Sequence, residues 1–200
     1  MLTVILLFIM CHLENISSDW TNYEIAKTFT LSVPNTVELR GQDDFYTKEL
    51  KRGYYKNKIN FNDIAFQQKG LSYADKEALK TYCRVLIKVV DGEGFPSSSD
   101  CYELTQEDIS YFRSMAIESA YPFKIIGNPV IRWTKVSGSY GIEVKYTRKG
   151  ENNTFVNVSS YYFFNIDKVV TIVLAYRKED SAKWKDDFSK IINTFRWIEK

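Results

Sequence analysis

The chain has 200 residues, enough for one domain with a sizeable hydrophobic core, alone or with a short leader. Hydrophobic residues make up 44% of it and charged residues 26%, a balance that excludes an intrinsically disordered chain. The 27 basic and 25 acidic residues form no basic stripe, so nothing in the sequence favours binding to nucleic acid or to an anionic membrane surface.

Histidine usage limits the chemistry further. The only histidine is His12, beside the apolar N-terminal run. A histidine base, a His–Cys dyad or an imidazole metal site would depend on that one residue. The sequence has no Gly-rich phosphate loop and no carboxylate pair in a context that would separate two pKa values. We therefore expect a non-enzymatic protein with no catalytic residue, no metal site and no cofactor.

The N terminus reads MLTVILLFIMC and then turns polar. The run from Leu2 to Met10 has the length of a signal-peptide core and is much shorter than the ~18–20 apolar residues of a membrane-spanning helix. Cys11 stands where a bacterial lipoprotein signal places the cysteine that receives the lipid, although Met10 precedes it and no Lys or Arg precedes the run. A lipoprotein signal, an ordinary cleaved signal and a buried first element of a cytoplasmic protein all fit. The pattern favours export, with Cys11 as the candidate lipid-attachment residue.

These features divide the chain into three parts. Residues 1–11 are predicted to be a signal sequence that ends at Cys11. Residues 12–26 carry polar and acidic side chains without a clear apolar period and are predicted to be a tether. Residues 27–200 are predicted to form a single globular domain.

Alternating strands open the domain. FTLSVP from Phe29 and YCRVLIKVV from Tyr82 alternate between apolar and polar residues, as half-buried strands do. In KINFNDIAFQQ the apolar phase shifts between Phe61 and Ile64, which predicts one strand with a bulge. The segment DGEGFPSSSD, which follows YCRVLIKVV, predicts a loop.

A helix and four strands come next. The helix is predicted in LTQEDISYFRSMAIESAYP, with Thr105 as N-cap, Asp108 three residues later and Pro122 at its end. The strands PVIRWTKV, YGIEVKYTR, TFVNVSSYYFF and KVVTIVLAYR are joined by short turns, which require antiparallel pairing.

The last predicted element is an amphipathic helix in DSAKWKDDFSKIINTFRW, with Asp180 as its N-cap. Its apolar residues follow the helical period and form one face: Trp184, Phe188, Ile191, Ile192 and Phe195. This helix is expected to lie across the sheet.

Both ends of the domain resemble a known group of proteins. FTLSVPNTVEL is similar to the opening strand pair of PsbP-like and Mog1-like domains. TIVLAYRKEDSAKWKDDFSKIINTFRW is similar to their close, in which a strand ending in Tyr leads through a charged turn into a helix. The resemblance implies an α+β fold, a sandwich in which helices flank a central antiparallel sheet.

Function carries over from this resemblance only coarsely. PsbP proteins assist photosystem II at its lumenal face, Mog1 proteins bind a Ran-type GTPase, and many bacterial relatives are exported. The resemblance implies an exported, periplasmic or envelope-attached accessory domain that binds another envelope protein. It implies no metal site, because the domain after His12 has no histidine.

Two further features bear on possible sites. Cys83 shares a strand face with Val85 and Ile87 and is predicted to be a buried small hydrophobe; a disulfide with Cys101 is the alternative if the domain is exported. In FVNVSSYYFF, Tyr161 and Phe163 share one face of the strand. If no helix covers that face, the rings would form a binding surface, and the alternative function is then a carbohydrate-binding module.

Overall fold

The computed structural model describes residues 19–40, 57–101 and 103–198. The predicted signal sequence, the candidate lipid-attachment residue Cys11 and the first part of the predicted tether lie outside these ranges. Among the described residues, no helix combines the length and the apolar character needed to cross a bilayer.

In the described ranges the fold consists of two sheets and three α-helices, besides short 3-10 turns. The strands are β1 Trp20–Ile25, β2 Phe29–Pro34, β3 Val37–Leu39, β4 Lys58–Ile59, β5 Asp63–Gln68, β6 Cys83–Asp91, β7 Ile125–Val136, β8 Ser139–Lys149, β9 Phe155–Asn165, β10 Lys168–Arg177 and β11 Arg196–Trp197. The helices are α1 Lys76–Leu79, α2 Gln106–Ala120 and α3 Ser181–Asn193.

The larger sheet has seven strands in the order β3-β5-β6-β10-β9-β8-β7, all paired antiparallel. The smaller sheet has the order β11-β2-β1-β4, in which only the pairing of β1 with β4 is parallel. The predicted α+β fold with a central antiparallel sheet is therefore confirmed. The sequence did not indicate that the opening hairpin, β1 and β2, builds a second sheet.

Each face of the large sheet has its own core. On one face, α3 and the small sheet pack on β5, β6 and β10; Trp184, Phe188, Ile191, Ile192 and Phe195 are all buried there, which confirms the predicted apolar face. On the other face, α2 packs on β8 and β9 through Phe112, Ala116 and Ala120. The covers are offset from each other, so part of each sheet face stays open.

The two long helices begin differently. Thr105 and Asp108 form the predicted capping box of α2, with Thr105 Oγ1 accepting from the Asp108 amide at 3.1 Å. Asp180 is the N-cap residue of α3, as predicted, but its side chain caps nothing there. Its Oδ2 instead accepts from the Tyr82 amide at 2.9 Å and so ties the start of α3 to the segment before β6.

Two predictions made from local pattern are corrected by the structure. Residues 20–25, placed in the tether, form β1, because Tyr23 and Ile25 pack into the core of the two sheets. The phase shift between Phe61 and Ile64 is not a bulge. It marks the passage of the chain from β4 in the small sheet to β5 in the large one.

A close contact between β8 and β9 makes Gly141 sensitive to substitution. A Cβ atom built there would lie 2.7 Å from the Tyr162 carbonyl oxygen and 2.7 Å from a ring carbon of Phe163. We expect Gly141→Ala to lower the free energy of unfolding by about 2 kcal/mol, since neither neighbour has room to move. Urea unfolding measures this, with Lys149→Ala at the exposed end of β8 as the control; equal stability of the two variants would contradict the prediction.

Candidate functional site

The predicted binding surface of aromatic rings is not exposed. Tyr161 is 6% exposed and Phe163 is completely buried, with its ring stacked 4.2 Å from that of Phe195. β9 lies inside the large sheet, and the neighbouring rings Tyr162 and Phe164 pack on the α2 side. The prediction that Tyr161 and Phe163 form a platform for a glycan is therefore wrong, because both rings are parts of the core.

The two described cysteines do not form a site. Cys83 is completely buried in β6, as the alternation predicted, and Cys101 is exposed in the loop before α2. Both are free thiols, so the alternative of a disulfide between them is not realised. Burial raises the pKa of the Cys83 thiol to about 12, which keeps it protonated and unreactive.

The structure instead shows a groove between α3 and the outer strands β7, β8 and β9, which we call the sheet groove. Its volume is about 490 Å³. The groove exists because α3 covers the β10 side of this sheet face and leaves the β7 side open. Its lining combines polar, cationic and apolar side chains, among them Ile126, Val130, Lys145, Thr147, Asn157, Ser159, Tyr161, Lys185 and Ser189.

An ion-pair cluster around a buried carboxylate borders the groove. Cross-strand register places Arg132, Glu143 and Tyr161 in one row across β7, β8 and β9. Arg132 Nε lies 2.6 Å and Lys145 Nζ 2.7 Å from the two carboxylate oxygens of Glu143. The Tyr161 hydroxyl donates a third hydrogen bond to this carboxylate. One acid thus fixes two cations and a phenol at the edge of the groove.

The titration behaviour of the cluster follows from its contacts. Burial alone would raise the pKa of Glu143, but the hydrogen bonds from Lys145, Tyr161 and Arg132 outweigh it and hold the pKa below its ordinary value of 4.5. Burial, and then the bond to Glu143, raise the pKa of Tyr161. Glu143 is therefore ionised and Tyr161 protonated at neutral pH, so neither is poised for acid–base chemistry.

The groove carries an excess of positive charge. Lys145 and Lys185 line it and Arg132 lies beside it, against the single buried carboxylate of Glu143. The remaining polar groups are neutral, including Thr147 and Asn157, whose side chains share a 3.0 Å hydrogen bond. In the part of the chain that the structure describes, no group of three or more His, Cys, Asp or Glu residues could hold a metal ion. The arrangement suits the binding of an acidic partner.

The local sequence pattern does not predict this cluster, although the sequence contains a signal for it. Glu143 and Lys145 alternate with the apolar residues of β8 and look like a solvated face. In the structure Glu143 is only 3% exposed. Opposite charges two residues apart in one strand, with Arg132 in the preceding strand of the same meander, are the pattern from which the pairing could have been found.

Comparisons with known proteins find similar structures but no similar sequence. No protein-family profile matches the chain, and no curated protein is similar to it in sequence. The solution structure of cyanobacterial PsbP (CyanoP) from Synechocystis sp. PCC 6803 superposes with a TM-score of 0.56 at 10% identity, covering 91% of this chain and 94% of that one. The predicted PsbP-like fold is thereby confirmed.

Two crystal structures are similar at a lower level. A protein from Bacteroides thetaiotaomicron gives a TM-score of 0.49 at 10% identity, with 88% of this chain and 47% of that one covered. LpqN of Mycobacterium tuberculosis, described as involved in cell envelope biogenesis, gives a TM-score of 0.49 at 10% identity, with 86% and 83% covered.

Proposed function

We propose that this chain, whose fold is PsbP-like, is an exported, non-enzymatic accessory domain that binds another protein of the cell envelope through the sheet groove. Export is supported by the apolar run before Cys11, and this cysteine is the proposed lipid-attachment residue. The observation that carries the binding proposal is an open, cation-rich strip of sheet next to exposed apolar side chains at the outer strand.

The groove geometry favours an extended polypeptide as the occupant. Ile126 and Val130 on β7 are 47% and 58% exposed and offer apolar contact at the outer rim. Lys145 and Lys185 lie further in, on β8 and α3. An extended segment with apolar and acidic side chains would match both features, since complementary charges set the orientation and raise the association rate. We therefore expect the partner to present an acidic, extended segment.

The chemistry of the groove supports binding rather than catalysis. The buried carboxylate of Glu143 is engaged by Arg132 and Lys145, and the Tyr161 phenol donates to it. The thiol of Cys83 lies in the core with a raised pKa. None of these groups forms the pair of a nucleophile and a base that covalent catalysis needs.

Site-specific photocrosslinking in the native host tests the binding proposal. A photoreactive amino acid replaces Val130 at the groove, and in a second strain Tyr121, which is exposed but lies outside the groove. We expect a discrete protein adduct from position 130, purified with the envelope fraction, and none from position 121. Adding Lys185→Glu should abolish the adduct, whereas Lys149→Glu, outside the groove, should leave it intact.

Three results would contradict the proposal. These are the absence of an adduct from position 130, the same adduct from both positions, and an adduct that survives Lys185→Glu. The last result would show that the groove charge does not take part in recognition.

The intact mass of the native protein tests export separately. The proposal predicts a membrane-fraction species that starts at Cys11 and carries diacylglycerol. A species cleaved near Cys11 without lipid would support export and contradict lipid attachment. A mass that includes residues 1–10 would overturn the envelope assignment.

A further inference from the structure

A second cavity lies at one end of the sandwich, where loops of both sheets meet. Its volume is about 700 Å³, and we call it the end cavity. The β1–β2 turn with Lys27 and Thr28 contributes to it, as does the C-terminal segment with Arg196 and Trp197. The large sheet adds the β7–β8 and β9–β10 turns. Such a volume falls within the range of small-molecule sites.

Three cationic side chains are among the residues that line the end cavity. Lys27 and Arg196 are exposed at its edge, and neither has an ion-pair partner among the described residues. One Arg196 nitrogen is held by the carbonyls of Asn193 and Phe195, at 2.9 and 2.7 Å, which fixes the guanidinium in place. The cavity's third cation, Lys168, is neutralised by Asp91, and Asp167 is the acidic residue of the lining.

The indole of Trp197 adds a donor with no acceptor. Its Nε1 is shielded from solvent and has no hydrogen-bond partner in the described part of the chain. A buried N–H without an acceptor is costly, and an acceptor placed within reach of it would relieve this cost. The side chain is half-buried and stands near the end of the described chain, against Phe195.

The backbone around the cavity is strained. Lys27 and Ile166 both line it, and both have left-handed backbones, with φ of 53° and 49°. The β-branched Ile166 is disfavoured there, and neither position is a glycine or asparagine. At the opposite end of the large sheet, the β8–β9 turn meets the same requirement with Asn152 and Asn153. Backbone strain of this kind collects at ligand sites more often than elsewhere.

From these observations we infer that the end cavity binds a small molecule that bears an oxyanion, a phosphate or a carboxylate, between Lys27, Arg196 and the indole N–H of Trp197. Two cations and an unpaired donor favour an acceptor-rich anionic group. The volume leaves room for an organic body beside it. This site is separate from the sheet groove and shares no lining residue with it.

Indole N–H resonances of ¹⁵N-labelled protein test the inference directly. The chain has four tryptophans, and Trp197→Phe assigns the resonance of interest. The probes are inorganic phosphate, glycerol 3-phosphate and acetate, each compared with chloride at equal ionic strength. We expect a saturable shift of the Trp197 resonance with at least one oxyanion. Trp184, whose Nε1 already donates to Thr81 at 2.7 Å, is the internal control and should not move.

Substitutions separate specific binding from general ionic effects. Lys27→Gln and Arg196→Gln should each weaken the response about tenfold or more, since each removes a charge-assisted contact. Lys149→Gln, outside the cavity, should not weaken it. If Arg196→Gln fails to fold, Lys27→Gln alone decides. An equal shift with chloride, an unchanged response in Lys27→Gln, or no saturable shift with any oxyanion would overturn the inference.

The probes also identify the source of the oxyanion. Tighter binding of glycerol 3-phosphate than of inorganic phosphate supports an organic phosphate, and tighter binding of acetate supports a carboxylate. A response to phosphatidylglycerol vesicles that exceeds the response to free glycerol 3-phosphate assigns the group to a lipid headgroup. The photocrosslinking result at Val130 does not depend on any of these outcomes.

Discussion

Replacing Trp184 with alanine is expected to lower the free energy of unfolding by about 3–5 kcal/mol. The indole is 1% exposed and packs near Phe188, where α3 meets the large sheet. Its Nε1 donates to Thr81 Oγ1 at 2.7 Å, so the substitution leaves both a cavity and a buried hydroxyl without its donor. Urea unfolding at neutral pH measures the loss.

Two further variants separate the contributions to this loss of stability. Trp184→Phe keeps most of the ring and removes the hydrogen bond, and it should cost about 1–3 kcal/mol. Tyr111→Ala removes a ring from the exposed side of α2 and should change stability by no more than about 0.5 kcal/mol. A Trp184→Ala variant as stable as Tyr111→Ala would show that α3 does not hold the two sheets together.

Glu143→Ala is expected to lower the free energy of unfolding by about 2–3 kcal/mol at pH 7. The change removes the acceptor shared by Arg132, Lys145 and the Tyr161 hydroxyl. The two cations are 62% and 45% exposed and can be solvated, so the loss falls below that of a fully buried pair. The unpaired phenol of Tyr161, which is buried, accounts for much of the loss.

The same residue gives stability a pH dependence of known sign. Its pKa is lowered in the folded protein, so as the pH falls the unfolded chain takes up the proton first. The stabilisation by Glu143 is complete above its ordinary pKa of 4.5 and is lost as the pH falls through the lower, folded-state pKa. Unfolding measured between about pH 7 and pH 3 should show a smaller loss for Glu143→Gln than for the wild type. Glu118→Gln, at an exposed position in α2, should follow the wild type.

Periodicity was a sound guide wherever one element has one buried face. The alternation in β6 places Cys83, Val85 and Ile87 inside, and the structure agrees. The helical period of Trp184 and Phe188 also gave the correct face of α3. These patterns are local. They predict the buried face correctly because one face of each element packs on the same layer of the protein along its whole length.

The sequence predictions that were wrong or incomplete concern contacts between distant parts of the chain. β1 lacks a clear period because only Ile25 of its six residues is buried, and nothing local shows that β2 lies beside it in a second sheet. Tyr161 and Phe163 were placed on the correct face, but whether that face is covered depends on α3 and the C-terminal Phe195. Glu143 was missed because its partner Arg132 lies on a neighbouring strand.

The small sheet joins the two ends of the domain. β11, at residues 196–197, pairs with β2, and the Ser32 amide donates to Thr194 Oγ1 at 2.9 Å across 162 positions of sequence. A ribosome-bound chain therefore cannot finish this sheet until residues 196–197 have left the exit tunnel. Contacts of such high contact order also form slowly. A nascent chain that stays unfolded until these contacts form is a suitable substrate for a translocon, because a translocon requires an unfolded polypeptide. This property would serve the proposed export.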